Sequence, residues 1–302
     1  MRLAVLSSPE SWYLRDLRRA GGSRCEIVAL PFSRLSAGLG GATMTIAAGD
    51  VSLLDFDAVL VRTMPPGSLE QVVFRMDALS RLEAAGCVVL NPPRALEAAI
   101  DKYLALARLE AVGLPVPETW VGQNADEALV EFARLGGDVV VKPLFGGEGR
   151  GILRVSDEAL ALRAFKTLEQ LDAVLYLQRF VPHEGFDLRL LVLGEQVLSM
   201  RRVSGGDWRT NISQGGRGER LEADAELVRM ARLAAQTLGA PMAGVDIVAD
   251  RRGNRYVLEV NAVPGWKALA RTLDVDVASL VLDFVQSAVQ SAVHSADRSR
   301  NA

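Results

Sequence analysis

Short apolar runs alternate with helical patterns through the first third of the chain, and no other feature limits the possible folds as tightly. Leu3–Leu6, Glu26–Leu30, Asp57–Val61 and Cys87–Leu90 read as buried strands. Between them, Pro9–Arg19 places Trp12, Leu14 and Leu17 on one helical face, and a second helix is expected over Ser68–Ala85. This rhythm predicts a small parallel sheet covered by helices. Residues 36–50, rich in Gly, Ala, Ser and Thr, fit a connection or a short hairpin. Asn91-Pro92-Pro93 punctuates the pattern and sets a first boundary.

Beyond that boundary a helix is expected over Ala95–Val112, ended by Gly113, then a helix over 125–135 and a strand over Val139–Val141. A glycine-dense loop, a strand Ile152–Val155, a helix to about Leu171 and a strand Val174–Phe180 follow, with a hinge at Val181-Pro182. The last portion is strand-rich: Leu188–Leu193, Val197–Val203, Gly244–Ala249 and Tyr256–Asn261, with helices near 222–238 and 274–292. The chain thus divides into segments 1–91, 92–181 and 182–290, with a tail 291–302 that reads as a fraying end. The class is α/β.

Composition removes several functions. Basic and acidic residues number 34 and 37, the net charge is -3, and no Lys/Arg run exceeds two, which argues against a nucleic-acid partner. No apolar run approaches the ~18 residues of a membrane helix, so no membrane partner is expected. The N-terminal apolar stretch is too short for a signal sequence. Cys25 and Cys87 both lie in apolar runs, as small core thiols of a reduced, cytoplasmic protein.

The sharpest chemical signal lies near the C-terminus. In Val257–Asn261, alternation along a strand puts Glu259 and Asn261 on one face, and Asp246 interrupts a second apolar run. A carboxylate in such a strand is costly to bury without a partner. Two carboxylates and an amide oxygen form the hard-oxygen set that Mg²⁺ prefers; the alternative is a pair of edge-strand acids held by Arg or Lys. Lys142 ends a buried strand, and Gly146, Gly147, Gly149 and Gly151 then place four glycines within six residues. Their backbone amides can approach phosphate closely, though a flexible hairpin tip is the simpler reading. The loop matches neither a Walker A nor a dinucleotide fingerprint. Asp101-Lys102, which opens a helix just after the double proline, Asp187-Leu188-Arg189, Arg201-Arg202 and Trp208-Arg209-Thr210-Asn211 would each pass singly as solvated surface. His183 and His294 show no metal-ligand spacing and read as structural or exposed. No Ser/His or Cys/His nucleophile arrangement occurs.

In this order, these motifs together with Gln178–Val181 and Leu258–Gly265 resemble the RimK-type ATP-grasp ligases, over about Asn91–Val285. The resemblance implies an ATP-grasp fold preceded by a small parallel-sheet α/β domain. It implies an ADP-forming ligase: a carboxylate attacks the γ-phosphate of ATP, and an amine then displaces phosphate from the acyl-phosphate. On that resemblance Lys102 and Lys142 contact phosphates, and the loop of Gly146, Gly147, Gly149 and Gly151 closes over them. Gln178, Arg179, Phe180 and Val181 receive adenine, although Arg179 stands where the family has an acid, and Asp187 contacts the nucleotide. Arg209, Asn211 and Arg189 serve catalysis; Asp246, Glu259 and Asn261 bind two Mg²⁺ (or Mn²⁺), with Glu259 bridging.

The substrate contacts come from Arg62 and Arg202. Arg62 follows the strand Ala58–Val61, at the carboxyl end where open α/β sheets present ligand contacts. Ser68 and Glu70 read equally as helix capping or as ligand contacts. The stretch Met64–Arg75 resembles the branch of the family tied to tetrahydromethanopterin and related one-carbon cofactors, which implies a small acidic pterin-type acceptor extended by one α-linked L-glutamate. Ligation to the ribosomal protein S6, another ATP-grasp peptide ligation, and a nucleotide-binding regulatory module stay open beside it, as does a homo-oligomeric state. A dinucleotide-dependent oxidoreductase would rest on fold analogy alone.

Overall fold

The alternating first third folds into a parallel sheet in the order Glu26–Leu30, Arg2–Leu6, Ala58–Val61, Val88–Leu90. This computed structural model describes residues 1–300 apart from 42, 148, 207, 213 and 214, with side chains as far as residue 295. Glu148 of the glycine loop and Asn301 of the tail lie outside the described residues. Helices Trp12–Gly21 and Leu69–Ala84 make the crossovers. Ser68 starts the second as a capping box: its Oγ accepts from Gln71 N at 3.3 Å, and its own N–H donates to Gln71 Oε1 at 3.2 Å. Residues 36–50 contribute a hairpin, Leu35–Gly38 against Thr45–Ala48, extended by Val51–Ser52.

A second sheet is antiparallel, in the order Leu153–Val155, Val139–Lys142, Leu175–Arg179, Thr119–Gly122. Helices Ala125–Arg134 and Glu158–Gln170 close a core on it around Phe132 and Phe165. The third sheet, also antiparallel, runs Arg217–Arg220, Gln196–Val203, Phe186–Leu193, Met242–Ala249, Arg255–Asn261.

The first and third sheets are packed together. Val59 and Val61 share a core with Leu190, Val245 and Val260, and Leu3 and Val5 share another with Leu191, Met242 and Val281. Buried Asn91 stitches them: Nδ2 donates to Met242 O at 2.6 Å and Ala262 O at 2.5 Å, and Oδ1 accepts from Met242 N at 3.0 Å. The second sheet keeps its own core, which leaves a cleft between it and the third.

Several elements differ from the sequence reading. The helix expected over Ala95–Val112 is two, Pro93–Ile100 and Lys102–Ala111, because extended Asp101 ends one and caps the next, its Oδ1 accepting from Leu104 N at 3.0 Å. The helix expected near 222–238 is Ala225–Thr237, with Asp224 as its cap. Before the helix expected near 274–292 lies one that was not expected, Lys267–Leu273; left-handed Asp274 (φ 56°) parts it from the expected one, Val277–Arg300. The second of these runs through most of the stretch read as a fraying end.

Candidate active site

Strand register assembles the charges. Glu259 lies opposite Asp246, and Asp246 lies opposite Arg189 on its other side. Asp187, two residues before Arg189, lies opposite Arg202. Cross-strand partners share a face, so a row of charged groups crosses the third sheet. Arg189 Nη1 donates to Asp246 Oδ1 at 2.5 Å. Arg202 holds Asp187 in a fork, at 2.7 and 2.6 Å, and reaches Asp246 Oδ2 at 2.9 Å. Thr210 Oγ1 donates to Asp187 Oδ2 at 2.6 Å, tying the loop that carries Arg209 and Asn211 to this row. Gly244 leaves room for the Arg189 guanidinium, since a Cβ there would lie 2.4 Å from Arg189 Nη2 and displace it. Burial alone would raise the Asp246 pKa, but Arg189 and Arg202 hold it below the usual carboxylate range.

Glu259 differs from Asp246. Among the described residues its carboxylate makes no hydrogen bond or ion pair. Burial and the neighbouring Asp246 push its pKa up, against the pull of Lys102, Lys142 and Arg189. Asn261, two residues on, lies on the same face, and its Oδ1 accepts from Val263 N at 2.8 Å.

The two lysines arrive from different elements. The break at Asp101 starts a helix on Lys102, whose Nζ donates to Gly146 O at 2.6 Å, at the base of the glycine loop. Lys142 ends its strand with Nζ donating to Gln178 Oε1 at 2.6 Å, and burial pushes its pKa down to about 8. Gln178 Nε2 is itself spent on Thr119 Oγ1 at 3.0 Å. Gly149, at φ +73°, approaches the loop opposite, where a Cβ would lie 2.7 Å from Asn211 Oδ1.

Two cavities meet here. The cleft between the second and third sheets is lined by Lys142, Gln178, Arg179, Phe180, Val181, Asp187, Arg202, Arg209, Asn211, Asp246 and Glu259. A larger cavity of about 600 Å³ lies between helix Leu69–Ala84, helix Pro93–Ile100 and the glycine loop, and Gly146, Gly147, Glu259 and Asn261 face it. Glu259 is the carboxylate common to both. Arg189 sits behind Asp246, and Gly151 (φ +70°) beyond the loop tip against Pro143.

The two arginines expected to contact substrate lie in different places. Arg62 does not line the larger cavity: its guanidinium is buried over Trp266 (4.4 Å) and Tyr13 (4.7 Å), and Nη2 donates to Pro264 O at 2.8 Å. The loop after Asn261 folds across that strand end and covers it. Arg202 faces the cleft, held by two carboxylates. Three residues were missed. Thr210 anchors its loop through a contact legible only in three dimensions. Arg75 reaches the larger cavity. His183, read as structural or exposed, lines the cleft with Nδ1 accepting from Gly185 N at 3.1 Å, and burial lowers its pKa.

The donor set is of a kind that holds a divalent cation. Among the described residues no three His, Cys, Asp or Glu side chains gather as a metal group, so the candidate set is two carboxylates and an amide. These are hard oxygen ligands of the kind Mg²⁺ takes when phosphates complete its shell. Unpaired Glu259 has both oxygens to give, whereas those of Asp246 already face two guanidinium groups. The residues fit, with Glu259 as the principal donor.

Comparison with known proteins agrees with this geometry. The RimK-like ATP-grasp domain matches residues 99–285. The tetrahydromethanopterin:alpha-L-glutamate ligase of Methanosarcina acetivorans is 32% identical, over 80% of this chain and 83% of that protein. Its namesake in Methanococcus maripaludis is 30% identical, over 94% and 97%. Among solved structures, the ATP-grasp ligase PsnB complexed with minimal precursor, Mg and ADP superposes with a TM-score of 0.72 at 25% identity, covering 95% of this chain and 98% of that one. The parallel sheet, the two antiparallel sheets with a cleft between them, and these matches place the chain in the RimK-like ATP-grasp family, as an ATP-grasp ligase.

Proposed function

We propose that the protein joins L-glutamate to a carboxylate of a small acidic acceptor, with ATP and Mg²⁺, in a cytoplasmic setting. The observation that carries this reading is the position of Glu259, at the junction of the two cavities and flanked by the charges of Lys102 and Lys142. A nucleotide in the cleft would present its terminal phosphate there, facing an acceptor in the larger cavity. An acceptor carboxylate oxygen attacks the γ-phosphorus, and ADP leaves. The glutamate amine then attacks the acyl carbon, and phosphate and a proton leave.

The residues serve this by positioning and charge. Lys142, Lys102 and the glycine loop hold the phosphates, Arg209 and Asn211 hold the transferring group, and Phe180 and Val181 receive the base. Asp187, Arg189 and Arg202 fix the row that orients Asp246. Glu259, Asp246 and Asn261 would hold Mg²⁺, which supplies charge neutralisation at the phosphate oxygens. On this reading segments 92–181 and 182–290 grasp the nucleotide, and segment 1–91 helps to enclose the acceptor. The relatives from Methanosarcina and Methanococcus support a pterin-type acceptor.

The test is ADP release in the presence of tetrahydromethanopterin-type cofactor, L-glutamate and Mg·ATP, with product mass. Release that needs both acid and glutamate, with a product heavier by one glutamyl group, is the expected result. Release indifferent to glutamate would overturn the reading.

A further inference from the structure

Resting on the ligase reading, we propose that Arg75 anchors a second anionic group on the acceptor, which makes the acceptor a diacid with an apolar body. The larger cavity has an apolar wall, including Met64, Leu69, Val72, Ile100 and Phe145. Arg75 is the cation on its lining, and only 7% of that residue is exposed. Its Nη1 donates to Pro65 O at 2.7 Å, and its guanidinium lies 5.6 Å from the centre of the Phe32 ring. Among the described residues it forms no salt bridge.

Unlike Arg62, whose Nε and Nη1 are buried without a partner, Arg75 has no buried nitrogen left unpaired, so its remaining donors are open and can take an anion from outside the chain. The site is preorganised for one. The Pro65 carbonyl fixes one nitrogen, the capping box at Ser68 fixes the first turn of the helix, and Gly67 leaves room, since a Cβ there would lie 3.0 Å from Arg75 Nη1. The planar fork suits a carboxylate. Glu259 and the glycine loop line the same cavity, and there the reacting carboxylate must meet the phosphate. An acceptor that fills the cavity therefore presents one acid for activation and a second to Arg75. A monoacid would leave the guanidinium unpaired.

The probes are folic acid, a pterin body ending in two carboxylates, and its α- and γ-monoamides, titrated calorimetrically with a non-hydrolysable ATP analogue and Mg²⁺ present. The unsubstituted chain should bind folic acid at least about tenfold tighter than one of the two monoamides, the scale of a buried charge-assisted contact. Arg75→Met should erase that preference. Arg75→Lys, which keeps charge but not the fork, should retain part of it and carries the test should the Met variant not fold. Equal binding of acid and amides, binding of none, or an Arg75→Met chain with its preference intact would overturn the proposal. A rise in the L-glutamate KM with unchanged folate binding would overturn it too, by moving the anchor to the amino acid. Glutamate-dependent ADP release by the unsubstituted chain reports separately on the ligase reading.

Discussion

Replacing Lys142 by Met should make the chain more stable and inactive at once. Among the described residues its ammonium has one hydrogen bond, to Gln178 Oε1 at 2.6 Å, and burial lowers its pKa from 10.5 to about 8. At ~1.36 kcal/mol per tenfold change in proton affinity, keeping that charge costs the folded state about 3 kcal/mol near neutral pH. Met fills a similar volume without charge, and the lost hydrogen bond offsets about 1 kcal/mol. A net gain of about 2 kcal/mol is expected, or roughly 4 °C in Tm for a chain of this size.

The pH dependence supplies the sharper check. Between about 8 and 10.5 the unfolded chain holds a proton that the folded chain has released, so stability of the parent rises with pH across that window. The variant lacks the group, so its advantage is full below about 8 and fades toward 10.5. Urea denaturation without nucleotide, at several pH values across that window, reads both effects, and calorimetry reads the expected loss of ATP affinity. An advantage missing at neutral pH, or one that grows as pH rises, would refute the reasoning.

Two other changes test the surroundings. Glu259→Gln should abolish ADP release and leave the melting temperature unchanged or higher, since the carboxylate has no partner among the described residues and faces Asp246; turnover at the parental rate would remove Glu259 from the site. Asn91→Ala should lower stability by about 3 kcal/mol in chemical denaturation, at roughly 1 kcal/mol for each of its hydrogen bonds to Met242 and Ala262. A loss under about 1 kcal/mol would mean that the apolar cores alone join the first and third sheets.

The parallel sheet was legible because each of its strands is a short apolar run bounded by polar turns, a pattern that depends only on near neighbours. Val139–Val141 and Leu188–Leu193 were readable for the same reason. Arg217–Arg220 was not, since Arg-Gly-Glu-Arg carries no apolar alternation and is a strand only because Gln196–Val203 offers it a free edge. The break at Asp101 was half legible: Asp101-Lys102 reads as a helix opening, yet apolar periodicity continues across it from Leu96 through Leu106, while one extended residue separates two helices.

The site divides along the same line. Which residues carry charge inside apolar strands can be read directly: Asp246 and Glu259 stand out against Val245, Ile247, Leu258 and Val260. Which opposite charge each one meets cannot, because register joins residues far apart in the chain. Asp246 is matched to Arg189 across a strand pairing and to Arg202 one strand further on, and it ends with both oxygens occupied. Glu259, its neighbour in the same row, lies on the outermost strand and, among the described residues, forms no ion pair with either guanidinium. Of two acids equally conspicuous in the sequence, the fold pairs one internally and leaves the other facing both cavities. That asymmetry leaves Glu259 as the acid with both oxygens unengaged, beside an Asp246 already fixed in its row.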